Sequence, residues 1–366
     1  MKKKSRPQVS GGDPDAPTDK EWAVMKKYGS FGITDDDNED HLFKTNDMAL
    51  LMPDHAVASN QLELHEFWVA KIKEIRARSE EDVWARVQWY WSGNDVAGLI
   101  KSFDPSNCGS YERIFSDQYD YVSSQSFNGL ANVRDYFEQE LAQPNIGEDD
   151  FYCRYTLEVK GRKFDPKPNG TCICAIPYNP DDTSEESIMH FCPRPNCRKA
   201  YHRRCLVKAS YIDTTPSANL PTRLLASSPD SDDPFEFPSY EPPRKKQKQI
   251  IRRGSESMHA STTTTNTKTK NRVTLPSASP EPEDLLSVLP ADLVKVAEQP
   301  IIKGGNAGIV GNVTYVVNAR RLVYEALTEG RVPTDWVDIV DVAKGVVKTV
   351  GGKIPALLCP DCQGPI

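Results

Sequence analysis

The chain has nine cysteines and six histidines in 366 residues, and eight of these side chains form an ordered series. Cys172-x-Cys174 is followed after seventeen residues by Cys192-x4-Cys197, four residues later by His202-x2-Cys205, and 153 residues later by Cys359-x2-Cys362. Two thiolates a few residues apart span one edge of a tetrahedron, and a sulfur-rich donor set favours Zn²⁺ over Mg²⁺ or Ca²⁺. Eight donors predict two closed, structural sites with no open position for a reacting water. Two narrower readings compete. In one, Cys192, Cys197, His202 and Cys205 make a single compact site; in the other, His190 replaces a ligand. Cys153 lies in an apolar run and is expected to be a buried core thiol. Cys108 lies in a turn and carries no assignment.

A second set of residues suits cation binding. Trp89 and Trp91 stand two apart in VQWYW, so in a strand they share a face and Tyr90 points away. Trp68 opens a neighbouring predicted strand. Three converging indoles form an electron-rich box for a trimethylammonium group, each good contact contributing roughly 0.5–2 kcal/mol. The competing reading makes all three core residues of a β domain.

These side chains need elements to hold them. Residues 1–40 are polar, basic and then acidic, and read as a disordered arm. MALLMP, FWVAKIKEI, DVWARVQWYW, ERIFSDQYDYV and DDFYCRYTLEV are short apolar or alternating runs rich in aromatic and β-branched residues. They are separated by polar turns such as SGND and DPSNCG, and they predict a mainly β domain over 41–165. NVRDYFEQELA is expected to add one helix. The first six metal-type ligands fall in 171–210. Residues 213–283 hold 20 Ser or Thr and 10 Pro in 71 positions, with no Trp, and read as a disordered linker. Three helices are expected in the insertion over 284–352, the second closing at Gly330 and the third starting near Pro333 with Thr334 or Asp335 as its cap. The final ligand pair falls in 355–366. The fold class is α+β multidomain: a barrel-like β domain, then a small zinc-bound finger interrupted by a disordered linker and a helical insertion.

Several details of the ligand series resemble a plant homeodomain (PHD) finger: the C4HC3 order with histidine fifth, Tyr201 just before it, and the closing CPDC. The resemblance implies interleaved pairs. Cys172, Cys174, His202 and Cys205 would hold one zinc, and Cys192, Cys197, Cys359 and Cys362 the other. The gap before the final pair is far longer than in that family, but loop closure costs grow only logarithmically with length. Upstream, Trp68-Val-Ala-Lys-Ile-Lys-Glu-Ile, Val87-Gln-Trp-Tyr-Trp91, Phe115-Ser-Asp-Gln-Tyr-Asp120 and Phe151-Tyr-Cys-Arg154 form a series that resembles a bromo-adjacent homology (BAH) domain. CICAIPYNPDD at 172–182 resembles the start of the finger in plant BAH–PHD proteins, and the helical insertion resembles fungal ones that act in Polycomb repression. The resemblance implies that Trp68, Trp89 and Trp91 form a cage for trimethylated lysine 27 of histone H3, with Asp120 contacting the peptide flank. This chain departs from the family at Gln118, where histidine is common, and at SGND after Trp91. Ala200, two before the histidine, replaces the aromatic residue of fingers that hold methylated lysine 4, so strong binding of that mark is not expected.

Charge points the same way. Residues 41–165 carry 13 Lys/Arg and 21 Asp/Glu, a difference of −8, and the whole chain is at −7. An acidic domain suits a basic partner such as the histone H3 tail and not sequence-specific nucleic acid. No apolar run approaches the ~18 residues of a membrane helix, so no membrane span is expected. MKKKSRPQVSGG has no apolar segment after its basic start, so no secretory signal is expected. There is no G-x-S-x-G, no P-loop and no open metal site, so no catalytic residues are assigned and the chain is expected not to be an enzyme. GGNAGIVGN at 304–312 is read as a loop. The basic run Arg244–Arg253 reads as a nuclear localisation signal, with a DNA-contacting patch as the alternative. The expectation is a nuclear chromatin reader with chromatin-associated repressor proteins as further partners and two structural Zn²⁺ ions. A RING-type ubiquitin ligase and a methyl-independent chromatin scaffold are the alternatives.

Overall fold

A computed structural model describes residues 13–34, 40–53, 62–216, 219–238, 285–347 and 356–366. The amino-terminal residues that read as an arm are folded where they are described. Helix α1 (Asp19–Val24) starts at a capping box in which Thr18 and Glu21 satisfy each other's backbone N–H groups, and it buries Trp22. Strand β1 (Lys26–Tyr28) adds to the barrel, and β2 (Ser30–Thr34) pairs antiparallel with β3 (Asp40–Lys44). The β domain therefore begins before residue 41. The signal in the sequence was weak because only Pro17, Trp22, Met25 and Phe31 of the described residues 13–34 are buried.

The barrel continues through β4 (Met48–Leu51), β5 (Trp68–Ala77), β6 (Val83–Trp91), helix α2 (Gly93–Leu99), β7 (Glu112–Ser123), β8 (Phe127–Ala131), β9 (Val133–Asp135), β10 (Phe151–Glu158) and β11 (Lys163–Asp165). The strand order is β11-β10-β7-β6-β5-β4-β8, with β1 on β5 and β9 on β10. Most pairs are antiparallel; β10 runs parallel to both β7 and β9. Alternation selects the faces. Ala85, Val87, Trp89 and Trp91 of β6 enter one core with Ile72, Ile75, Ile114 and Phe127, and Val69, Phe151 and Cys153 enter a second on the other side.

Two local expectations fail. SGND is not a turn but the start of α2, because Ser92 and Asp95 form a capping box. NVRDYFEQELA is not a helix. Val133–Asp135 pairs with β10, Tyr136 is buried and its neighbour Phe137 is 64% exposed, which is the alternation of extended chain.

Strands β12 (Met189–Phe191) and β13 (Ala200–His202) form the sheet of the finger, followed by α3 (Arg203–Lys208). The expected linker over 213–283 does not begin at 213. Asp213 N–H donates to Ala356 O, α4 (Leu220–Leu225) buries Leu224 and Leu225, and Phe235 stacks on Tyr324 with ring centroids 4.0 Å apart. The reason is tertiary: α4 is held by a helix about a hundred residues later. Residues 239–283 of the expected linker, with the basic run Arg244–Arg253, lie outside the described residues. The insertion contains α5 (Ala291–Ala297), β14 (Ile302–Lys303), α6 (Val313–Glu329), α7 (Trp336–Ile339) and α8 (Val342–Gly345). Helix α6 buries Val313, Val316, Val317, Arg320 and Val323 on one stripe and closes at Gly330 with φ 79°. The third expected helix is two short ones, because Val340 is extended and Asp341 caps a new start by accepting from Ala343 and Lys344 N–H.

One apolar core runs through Tyr136 and Tyr152 of the barrel, Phe191 and Tyr201 of the finger, and Leu293, Val316 and Val317 of the insertion. Arg320, 1% exposed, fastens this core by donating to Ala297 O at 3.0 Å, Ser227 O at 2.9 Å and Gln299 O at 2.9 Å. Arg320→Met removes the donors and leaves three carbonyls to be desolvated without partners, at about 1–3 kcal/mol for each that stays buried. A fall of at least about 3 kcal/mol in unfolding free energy is expected by denaturant titration, with the slope unchanged. A midpoint equal to that of the wild type would show that residues 219–238 do not depend on α6.

Candidate metal centres and aromatic site

The insertion does not carry the final ligand pair away from the finger. Its two ends meet: Ile212 bridges Leu357, Leu358 N–H donates to Tyr211 O, and Leu358 bridges Pro365. Cys359 and Cys362 thereby return beside Cys192 and Cys197. The eight side chains gather into two groups, Cys172, Cys174, His202 and Cys205 in one and Cys192, Cys197, Cys359 and Cys362 in the other, each with its ligand atoms within 4.8 Å of one another. The compact alternative is divided between the two groups, and His190 belongs to neither. His190 is buried, and burial pushes its imidazole down to about 4.

The spacing within each group suits a metal. Cys192 Sγ lies 3.5 Å from Cys362 Sγ, and Cys197 Sγ 3.6 Å from Cys359 Sγ. Zn–S bonds of about 2.3 Å give a tetrahedral edge of about 3.8 Å, whereas a disulfide would need about 2.05 Å. In the other group, Cys174 Sγ is 3.4 Å from His202 Nδ1, near the ~3.5 Å edge expected between sulfur and nitrogen ligands. His202 N–H also donates to Cys172 Sγ at 3.3 Å, a contact that favours thiolate. Hydrogen bonding from Cys192 draws Cys359 down to about 7 and Cys362 further, while hydrogen bonding with Cys197 pushes Cys192 up. Two such groups can each hold a metal ion. Neither leaves a donor position vacant.

The barrel places the tryptophans at one end of β5 and β6. Trp68 is half-buried and meets Trp89 edge to face, with centroids 5.7 Å apart and planes at 83°. Trp89 and Trp91 share the same core face as expected, and they are 5% and 3% exposed. Trp91 Nε1 is buried with no acceptor among the described residues. Opposite Trp89 the β6–β7 register slips between Gln88 and Tyr90, so Ser116, Asp117 and Gln118 form a bulge in which Ser116 is buried and Asp117 and Gln118 are exposed. Ser116 Oγ fixes that bulge by donating to Trp89 O at 3.0 Å, and Gln88 Nε2 donates to Ser116 O at 2.8 Å. Asp120 lies beyond the bulge, across from Val87, where its carboxylate accepts from Tyr121 N–H at 2.9 Å.

Beside Trp68 opens a cleft of about 460 Å³ lined by Trp68, Tyr90, Glu66, Asp95, Ser110 and Arg113. Tyr90, pointing away from the tryptophan face, is the residue that reading the sequence left out; its position between two tryptophans on a strand was the available signal. Arg113 supports the floor of the cleft by donating to His65 O at 2.6 Å and Ser110 O at 2.8 Å. Burial lowers this guanidinium to about 10.

No protein-family model matches the chain. Among curated proteins it is 29% identical over 140 residues to the chromatin remodeling protein EBS of Arabidopsis thaliana, covering 38% of this chain and 55% of that one. It is 28% identical over 141 residues to the chromatin remodeling protein SHL of the same plant, covering 38% and 57%. The chain thus spans little more than half the length of these relatives. Among solved structures, the yeast Rsc2 BAH domain shares 14% identity at a TM-score of 0.26, covering 38% of this chain and 53% of its own. Over about 140 residues, then, the chain is similar to two plant chromatin remodeling proteins.

Proposed function

We propose that the chain is a nuclear chromatin reader whose barrel binds a trimethylated lysine of the histone H3 tail, most specifically lysine 27, in gene repression. The observation that carries this reading is the perpendicular pair of Trp68 and Trp89 at 5.7 Å, of which Trp68 lines the cleft. Two indoles at right angles form adjacent walls of a cation box, and Trp91 on the same strand face supplies the third. An uncharged wall suits a trimethylammonium, which is less hydrated than a plain ammonium and gains apolar contact with its methyl groups. Asp120 and the bulged Asp117 offer carboxylates to a basic tail. The relatives, both named chromatin remodeling proteins, support the chromatin setting. The chromatin-associated repressor partners and the nuclear address are parts of the same proposal. Two Zn²⁺ ions are the proposed metals, with a structural role: each would replace shared protons by bonds that close the finger.

The burial of Trp89 and Trp91 decides how the cage is tested. Trp89→Ala opens a cavity in the barrel core at about 3–5 kcal/mol, so it reports stability more than binding. Trp68→Ala removes a half-buried wall. It is expected to keep the thermal transition of the wild type while cutting affinity for a trimethyl-lysine-27 peptide at least tenfold, about 1.4 kcal/mol. Calorimetry with methylated and unmethylated peptides checks this, and unchanged affinity in a folded Trp68→Ala chain rejects the cage.

Metal analysis of the purified chain is expected to find two zinc ions. Cys359→Ser should lower the count to one and destabilise the chain by several kcal/mol, because structural zinc binding is folding free energy. Acid should release metal as thiolates protonate. One ion in the wild type rejects the interleaved ligand scheme.

A further inference from the structure

The hairpin of β10 and β11 differs in charge from the barrel that carries it. Residues 160–167 read KGRKFDPK, four Lys or Arg and one Asp in eight positions, in a domain that is otherwise acidic. Lys160, Arg162, Lys163 and Lys167 are all exposed, and among the described residues none of their head groups forms an ion pair. Two carboxylates share the hairpin. Glu158 stands across from Lys163, and Asp165 lies two residues further along the same outer face. Four cations against two carboxylates leave a surplus of two positive charges over 158–167.

One of these cations sits in a costly conformation. Arg162 has φ 53°, in the left-handed region that glycine adopts at least cost. The turn does contain a glycine, Gly161, but one residue too early to fill that position. A turn shaped for stability alone would have glycine at 162, so the arginine points to a use for its side chain. The hairpin is also held firmly. Leu157 and Phe164 pair across it, and Phe164 stacks on Phe103 with centroids 5.3 Å apart and meets Tyr155 edge to face at 6.5 Å. Val159 N–H donates to Asp117 Oδ1 at 2.7 Å, which ties the tip to the bulge opposite Trp89. Val159 and Phe164, the apolar side chains beside the cations, are half-buried, which leaves the tip no exposed apolar group to insert into lipid.

We infer that the tip of the β10–β11 hairpin docks on the phosphate backbone of duplex DNA through Lys160, Arg162, Lys163 and Lys167, without reading base sequence. Long cationic side chains with no fixed partner suit phosphates, whose contacts position a protein and carry no sequence information. An acidic barrel tolerates such a contact, because exposed charges further apart than the Debye length of about 8–10 Å are screened from one another. Glu158 and Asp165 lie closer and keep the contact in the weak, non-specific range. The Val159–Asp117 bond places it beside the carboxylates offered to a histone tail, so DNA and tail would be held on neighbouring parts of one barrel. The inference rests on the hairpin and needs no methyl-lysine cage.

The test uses the full chain and a mixed-sequence DNA duplex, free of histones, followed by fluorescence anisotropy at rising salt. Each phosphate contact contributes about −0.9 to the slope of log affinity against log salt. Changing Lys160, Arg162, Lys163 and Lys167 together to Ala is expected to flatten that slope by about 3–4 and to weaken binding at least tenfold at about 0.1 M salt. The thermal midpoint should be kept, because the four side chains are exposed. Arg162→Gly alone should flatten the slope by about 1 with a midpoint no lower than that of the wild type, since glycine suits the left-handed turn. Lys20→Ala with Lys26→Ala, which removes two exposed cations elsewhere, should leave the slope unchanged. An unchanged slope in the quadruple variant, or in Arg162→Gly should the quadruple variant fail to fold, overturns the inference and leaves DNA contact to Arg244–Arg253. An equal loss per charge in the Lys20 and Lys26 control shows only a general charge effect and overturns it too. Binding to phosphatidylserine vesicles that the hairpin substitutions abolish, with DNA binding intact, assigns the tip to a membrane surface and likewise overturns it.

Discussion

The Arg154 guanidinium, in β10 of the barrel and 6% exposed, directs its donors to four separate parts of the chain. Two reach the Glu112 carboxylate at 2.9 and 2.6 Å, one reaches Glu138 at 2.6 Å and Tyr178 O at 2.8 Å, and another reaches Asn107 O. Burial alone would favour its neutral form, but the carboxylates of Glu112 and Glu138 hold it charged. Removing one partner of such a pair leaves an uncompensated buried charge, at about 3–5 kcal/mol. The geometry downstream rests on this network. Glu112 opens β7, the strand that carries the bulge opposite Trp89. Tyr178 follows the first two cysteines, and its hydroxyl, like that of Tyr136, donates to Ile309 O at 3.2 Å. Barrel, finger and insertion are thus registered to one another around a single cation.

The same arrangement explains how a finger survives an insertion between its ligands. The segments leaving and re-entering the finger meet at a bridge between Ile212 and Leu357, which brings the two ends of the insertion together. The closure entropy of a long loop rises only slowly with length. The apolar stripe of α6 also lies in the same core as Phe191 and Tyr201, so the insertion and the finger bury one another. An insertion with its own separate core would have left Cys359 and Cys362 to be ordered by metal alone.

The tryptophans answer to two demands. As core residues Trp89 and Trp91 give the barrel large apolar area, and the proposed cage would require one side of the indole pair to stay approachable. Trp68 is half-buried and lines the cleft, whereas Trp89 and Trp91 lie in the barrel core. The bulge at Ser116–Gln118 keeps backbone pairing from sealing the strand opposite Trp89.

The eight side chains that could hold metal were legible in the sequence because close cysteine pairs have little other use in a chain of this composition. The strands of the barrel and the shared face of Trp89 and Trp91 were legible too, because period-two alternation is a property of the backbone. Helix α6 announced both its apolar stripe and its closing glycine. What needed three dimensions was everything decided between distant segments. The fold of residues 13–34, the packing of α4 on α6, and the strand character of Val133–Asp135 come from neighbours far away in sequence, which override local composition. The depth of Trp89 and Trp91 and the cleft beside Tyr90 were likewise undetermined, since a strand pattern says which side chains share a face but not what covers them. The seating of Lys303 against the finger was invisible for the same reason: nothing local distinguishes a buried lysine from a solvated one until the rings of Phe191 and Tyr136 close around it.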